Sequence, residues 1–291
     1  MKHTWKTTIF LLLLFVLAQI AGLLITLEYI HVQEGQVSFN DLPLGIERPD
    51  VTPSYAVGYI VLGVLLGTAL LLSLIKFNLL GMWKFWYAMA LLFSLIIAFN
   101  AFLPTLVSFL IAAVMVYLRI FRSTQIVHHL TEIFLYGGIA AIFVDMLSLW
   151  SVVILLGFIS LYDMYAVWKS KHMVTLAKFQ TGSQLFAGLQ VLPKGTKIAT
   201  KKEIKQGKAQ RAAILGGGDI AFPLLFIATL MKEMVVHGAS KQSAFFLALV
   251  PVATTTLALF LLFYFAKEKK FYPAMPFLSM GCIVGLMLLY I

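Results

Sequence analysis

The chain has 291 residues, of which 61% are hydrophobic and only 12% charged, with a mean hydropathy of +0.95 and a net charge of +10. Soluble domains run at about 45–50% apolar and about 25% charged, so a soluble domain, a disordered chain, a coiled coil and a secreted disulfide scaffold are all excluded. The 24 Phe and 11 Tyr fall in long uncharged runs, which directs the positive charge towards lipid headgroups rather than nucleic acid. The lone Cys282 lies in such a run and reads as a space-filling residue.

A bilayer core about 30 Å thick needs about 20 apolar residues at a rise of about 1.5 Å each. Thr8–Leu27 and Tyr55–Ile75 each supply one crossing. Lys2 and Lys6 precede the first run in the manner of a signal peptide, but the run is long and Ala18-Gln19-Ile20-Ala21 spaces its alanines wrongly for cleavage, so it is expected to be retained. Phe85–Leu118 would be about 51 Å long as one helix; Asn100 and Pro104 near its middle mark a turn and divide it. Ile126–Trp168 is longer still and divides at Asp145. Ala212–Met231, Ser243–Ala266 and Tyr272–Ile291 complete the set. The expectation is an all-α polytopic membrane protein of nine transmembrane helices. Residues 1–168 form a six-helix part, 169–211 a basic loop, and 212–291 a three-helix part, together one integrated membrane domain.

Charge asymmetry sets the orientation. With the N-terminus cytoplasmic, all but Arg48, Lys232 and Lys241 of the 22 Lys and Arg residues fall on the inner side. The long 169–211 loop is then cytoplasmic and the C-terminus outside. This loop, with Gly182, Pro193, Gly195 and many lysines, reads as a solvated linker whose run Lys194–Arg211 meets anionic headgroups. No internal repeat or pair of matching halves is visible, which weighs against a transporter.

Ionisable groups inside spans are costly and so are functional candidates. Glu28 and Asp145 fall at outer ends, where water reaches them. Glu132 lies four residues after His128, on one helix face with it, and reads as half of an ion pair at the inner rim. His128-His129-x-x-Glu132 lacks the zinc-protease spacing. Asp163 and Asp219 differ from these. Asp163 is six residues before Lys169 and Asp219 eight after Arg211, which on continuous helices places them about 9 Å and about 12 Å from the inner face. Two carboxyls at one level on sequential antiparallel spans can meet. They would share a proton, one acting as base on a water and the other as acid to the leaving amide.

The surroundings add to this. Asp219 closes Gly216-Gly217-Gly218-Asp219, and each glycine costs a helix about 1 kcal/mol against alanine. Small residues permit close packing of helices, and of a substrate backbone. Pro273-Ala274-Met275-Pro276 opens the last span with two prolines, which loosen its first turn. A proton-coupled transporter would explain the acids but neither the glycines nor the prolines. A prepilin-peptidase-like enzyme would have six to eight spans, and a membrane scaffold has no use for paired buried acids.

Tyr162-Asp163, Gly216-Gly217-Gly218-Asp219 and Pro273-Ala274-Met275 resemble the marks of the presenilin and signal peptide peptidase family: Tyr-Asp, Gly-x-Gly-Asp and Pro-Ala-Leu, in this order and on these spans. The chain looks like a minimal microbial homologue of archaeal type. Met275 stands where leucine is usual, a swap of similar volume. The resemblance implies a presenilin-like fold and an intramembrane aspartyl endopeptidase that cuts transmembrane segments or signal peptides. Asp163 and Asp219 would be the catalytic pair, and Gly216, Gly217 and Gly218 would allow close approach. Pro273, Ala274 and Met275 would shape the site and hold substrate backbone. Tyr162 would lie beside the acids or on the helix surface. Neither metal nor organic cofactor is implied, and the partners are transmembrane-helix peptides or proteins and the bilayer. A homo-oligomer is left open.

Overall fold

The structure, a computed structural model, describes residues 5–33, 36–48, 51–77, 79–170, 186–191, 213–266 and 272–290. Among these residues lie nine α-helices: α1 (Trp5–Tyr29), α2 (Pro53–Lys76), α3 (Leu80–Asn100), α4 (Thr105–Phe121), α5 (Gln125–Phe143), α6 (Leu149–Met164), α7 (Gly218–Val236), α8 (Lys241–Phe265) and α9 (Met275–Tyr290). Two antiparallel strand pairs join them, β1 (Ile30–Gln33) with β2 (Gln36–Phe39) and β3 (Gly188–Val191) with β4 (Ala213–Gly216). The basic run Lys194–Arg211 lies outside the described residues, as do Lys2, Glu34, Asp50, Lys267, Lys269 and Lys270.

Helix boundaries follow from local chemistry. α3 ends at Asn100, and Pro104 precedes the first residue of α4. Asp145 lies in the turn before α6. That helix opens with a capping box in which Ser148 Oγ accepts from the Ser151 N–H and Ser151 Oγ accepts from the Ser148 N–H. Thr124 and Ser240 cap α5 and α8 with their hydroxyls. Six helices, namely α1, α2, α3, α5, α6 with its extension to Lys169, and α8, are long and apolar enough to cross a membrane. α4 and α9 are apolar but have only 17 and 16 residues.

α7 is the centre of the bundle. Every residue from Pro223 to Lys232 is buried, and α1, α5, α6, α8 and α9 all pack against it. A helix surrounded by protein rather than lipid tolerates Asp219, Lys232 and Glu233 because its neighbours supply polar partners. The Lys232 ammonium donates to the carbonyls of Val144 and Leu147 just past the end of α5. At this same end Arg48 donates to the Ala141 carbonyl at 2.7 Å and lies 4.0 Å from Asp145. It also covers the rings of Tyr29 and Phe39, so it pins the β1–β2 hairpin to the bundle.

Small residues bring helices together. A Cβ at Gly138 in α5 would overlap the Ser94 carbonyl of α3, and one at Gly285 in α9 would overlap Pro251 of α8. The obstruction is backbone and cannot swing aside. Gly138→Ala should therefore cost about 1–3 kcal/mol, seen as a lower melting temperature in detergent; an unchanged melting temperature would show that α3 and α5 are free to separate.

Two sequence expectations are corrected here. The span expected over Ala212–Met231 does not start as a helix: Ala213–Gly216 is a strand and α7 begins at Gly218. Consecutive glycines hold a helix poorly, while residues 213–216 find a partner in β3. The helical depth of 12 Å therefore does not apply to Asp219, which sits in the first turn of α7. The second correction concerns the linker over 169–211. Phe186, Leu189 and Val191 within it are buried, because β3 packs against α1 and α5, and so this stretch is core rather than solvated linker.

Candidate active site

α6, α7 and α9 converge where the first ends and the other two begin. Asp163 lies in the last turn of α6, followed by a π-helical turn, Tyr165–Lys169. Such turns are rare and are common at functional sites. The Asp163 carboxyl is 4% exposed and that of Asp219 7%. The two helices pack together, and the acids are close enough for the charge of Asp163 to act on Asp219. The structure thus brings together the two residues singled out in the sequence.

Backbone donors hold each acid. α9 begins at Met275, whose N–H has no acceptor within its own helix, and this N–H donates to Asp163 Oδ2 at 3.1 Å. Tyr272–Ala274 are not helical, and Pro276 costs nothing in the first turn because its missing N–H would be unpaired there. The Pro273-Ala274-Met275 segment is buried against Asp163. Ser160, one turn before Asp163 on the same face, bonds Ser279 at 2.8 Å and fixes α6 against α9. Asp219 receives a backbone hydrogen bond from Gly216. Asp163 Oδ1 is buried and makes no hydrogen bond to any described residue. Buried polar atoms are nearly always paired, so this exception calls for an explanation, and a catalytic role is one that would supply it.

The three glycines differ. A Cβ at Gly217 would lie 2.9 Å from Tyr136 Oη, whereas one at Gly218 would meet only the Phe222 ring at ordinary contact distance. Gly217 therefore accommodates the protein's own packing, and Gly218, which is exposed, leaves an open surface beside Asp219. Tyr162 donates to Thr68 Oγ1 at 3.2 Å, which ties α6 to α2. Cys282 is fully buried.

Three features near the site are not apparent in the sequence reading. Gln19, fully buried in α1, donates to the Ile220 carbonyl at 3.0 Å. A glutamine inside an apolar span was the available signal. Pro223 lies inside α7 and removes the N–H that would bond the Asp219 carbonyl. Third, the ion pair expected of Glu132 is present but fully enclosed by protein: Glu132 is 0% exposed, with Arg119 at 3.7 Å and 1% exposed. Arg119 belongs to the last turn of α4 and its guanidinium turns inward to Glu132. Among the described residues no three His, Cys, Asp or Glu side chains are grouped so as to hold a metal ion.

Two buried acids thus lie at the junction of three helices in an apolar bundle, an arrangement with the chemistry an aspartic-type hydrolase needs. The chain belongs to the signal-peptide peptidase and presenilin aspartyl protease family, whose model matches residues 12–291. It is an integral membrane protein and an aspartic-type intramembrane endopeptidase. Two solved structures of presenilin-family intramembrane aspartate proteases, in C222 and P2 crystal forms, share its fold. Their TM-scores are 0.63 and 0.60, at 18% and 19% identity, covering 97% and 96% of both chains respectively. No curated protein matches the chain. Family membership gives no support to a proton-coupled transporter.

Proposed function

We propose that Asp163 and Asp219 are the catalytic pair of an endopeptidase that hydrolyses peptide bonds within the transmembrane segments of other membrane proteins or signal peptides. The observation that carries this reading is the burial of both acids at one junction, with one oxygen of Asp163 held by the Met275 N–H and the other buried without a hydrogen-bond partner among the described residues. The ionised member of the pair takes a proton from water as the water oxygen bonds to the carbonyl carbon. The protonated member gives its proton to the carbonyl oxygen, forming a tetrahedral diol. The newly protonated acid then gives its proton to the amide nitrogen while the other takes one from a diol hydroxyl, so that the C–N bond breaks, a carboxylic acid and an amine leave, and the pair again holds one proton. Pro273, Ala274 and Met275 hold Asp163 in place and, with Gly216 and Gly218, line the path of the substrate backbone. The reaction needs no metal or organic cofactor.

All nine helices cross the bilayer in this reading, with α4 and α9 tilted little and α7 shielded by its neighbours. The N-terminus and the 169–211 loop face the cytoplasm, the C-terminus lies outside, and the basic loop meets anionic headgroups. Cysteines placed in that loop, in a Cys282→Ala background, should react with a membrane-impermeant reagent only after cells are opened. Labelling of the loop on intact cells would invert the topology and the expected substrate direction. The activity itself is tested by incubating purified protein in detergent with a single-span peptide and reading products by mass spectrometry; no internal cleavage would refute the reading.

A further inference from the structure

The acids of the site are not the most elaborately held ones in the protein. Glu132, two turns into α5, accepts from Tyr136 Oη at 2.5 Å and from the Gly188 N–H at 2.9 Å through Oε2, and from Tyr87 Oη at 3.3 Å through Oε1. Arg119, its ionic partner from α4, donates to the Phe186 carbonyl at 2.9 Å and to Ser123 Oγ at 3.0 Å. His129 Nε2 lies 2.9 Å from the Gln190 carbonyl. Side chains from α4 and α5 thus grip the backbone at Phe186, Gly188 and Gln190, in and beside a single short strand.

That strand leads to the site. β3 pairs with β4 in the register Gly188↔Gly216, Leu189↔Leu215 and Gln190↔Ile214. The Gly217 N–H, one residue further on, donates to the Ala187 carbonyl at 3.2 Å. Gly217 caps α7, accepting from the Ile220 and Ala221 N–H groups through its carbonyl, and Asp219 is two residues beyond it. Tyr136 itself approaches Gly217 so closely that a Cβ there would meet its hydroxyl. Gly188 has φ +138°, and its own Cβ would run into the Leu215 carbonyl, so the strand pair can be this tight only with glycine there. A buried ion pair contributes little net stability compared with apolar side chains of similar size. Its presence here calls for another role.

We propose that the buried Arg119–Glu132 pair is a positioning device: by clamping β3, it sets β4 and the first turn of α7, and so fixes Asp219 opposite Asp163. This rests on the assignment of those two acids as the catalytic pair. Neither Arg119 nor Glu132 touches substrate.

The test compares wild type with the double variant Arg119→Met/Glu132→Leu and with Tyr136→Phe. Readouts are the melting temperature, kcat and KM on a single-span peptide, and affinity for a matching peptide with a hydroxyethylene group at the scissile bond. The double variant loses the desolvation cost of the pair but leaves the Gly188 N–H, the Phe186 carbonyl and the Tyr87 and Tyr136 hydroxyls without these partners, so its melting temperature should fall by several degrees and its rates are expressed per folded molecule. Its kcat should fall about 10-fold or more with KM within about twofold, as for an interaction felt only in the transition state. Affinity for the hydroxyethylene peptide, a mimic of the tetrahedral intermediate, should fall in proportion. Tyr136→Phe removes one bond to Glu132, and its kcat should fall about fivefold at unchanged KM. A double variant with wild-type kcat, or with a loss that only follows its folded fraction, overturns the proposal. If the double variant fails to fold, wild-type kcat in Tyr136→Phe overturns it alone. Asp163→Asn and Asp219→Asn run alongside: activity in these would remove the catalytic assignment, whereas inactive Asn variants beside a fully active double variant would remove only the positioning role.

Discussion

Asp163→Asn and Asp219→Asn should each lower peptide cleavage by about 10³-fold or more, the range expected when a general acid or base is lost. Asparagine has nearly the shape of aspartate and its oxygen still accepts a hydrogen bond, so the Met275 N–H on Asp163 and the backbone hydrogen bond from Gly216 on Asp219 keep a partner. What is lost is the ability to take or give a proton. Both variants should express and melt like wild type or slightly higher, because the one negative charge that the proton-sharing pair keeps buried is no longer required. The measurement is initial rate on a single-span peptide with purified protein, products identified by mass spectrometry. Substantial proteolysis by either single variant would mean that the acids do not work as a pair.

The second large effect is expected in the substrate. A transmembrane helix satisfies its carbonyls internally because lipid offers no alternative partner. Its peptide bonds are therefore closed to a water held between Asp163 and Asp219, and cleavage waits for local unwinding. The opened segment needs new partners. β4, paired only with β3 among the described strands, and the non-helical backbone of Tyr272–Ala274 are placed to give strand-like hydrogen bonds. Gly or Pro just beyond the scissile region lowers the cost of opening by about 1 and about 3 kcal/mol respectively. Replacing Leu-Leu by Gly-Pro there should raise the rate severalfold, with a ceiling of about 10³-fold if opening alone limits turnover. Equal initial rates for the two peptides, with equal binding, would show that helix opening is not the gate.

Much of this was legible in the sequence, for a physical reason. Lipid forces long apolar runs and tolerates charge poorly, so Asn100, Pro104 and Asp145 fall visibly at turns, and Asp163 and Asp219 stand out against their surroundings. Less legible was whatever depends on partners distant in sequence. Ala213–Gly216 is apolar and small and reads as the start of a span; only β3, folded back from within a basic loop, makes it a strand. Arg119 reads as a loop charge because it lies near the end of its run, and only the structure turns it inward onto Glu132. The hydroxyls of Tyr87 and Tyr136 that complete that network lie on aromatic residues of a kind common in membrane helices. Gln19 reads from sequence only as part of a poor cleavage site, because its partner, the Ile220 carbonyl, lies about 200 residues away.

α7 is fastened at both ends. Lys232 hooks the carbonyls just past α5 at one end, and the Gly217 N–H is tied to Ala187 at the other. Such a helix cannot slide along its own axis like a piston, so Asp219 keeps a constant height in the bundle. Any adjustment in the distance between the acids then falls to α6, whose neighbour α2 is largely exposed and, among the described residues, packs mainly on α6 and α3. On the proposed assignment of Asp219, this makes it the reference point from which a cut is measured, and the position of the cleaved bond should depend on how far a substrate can be drawn past an immobile post.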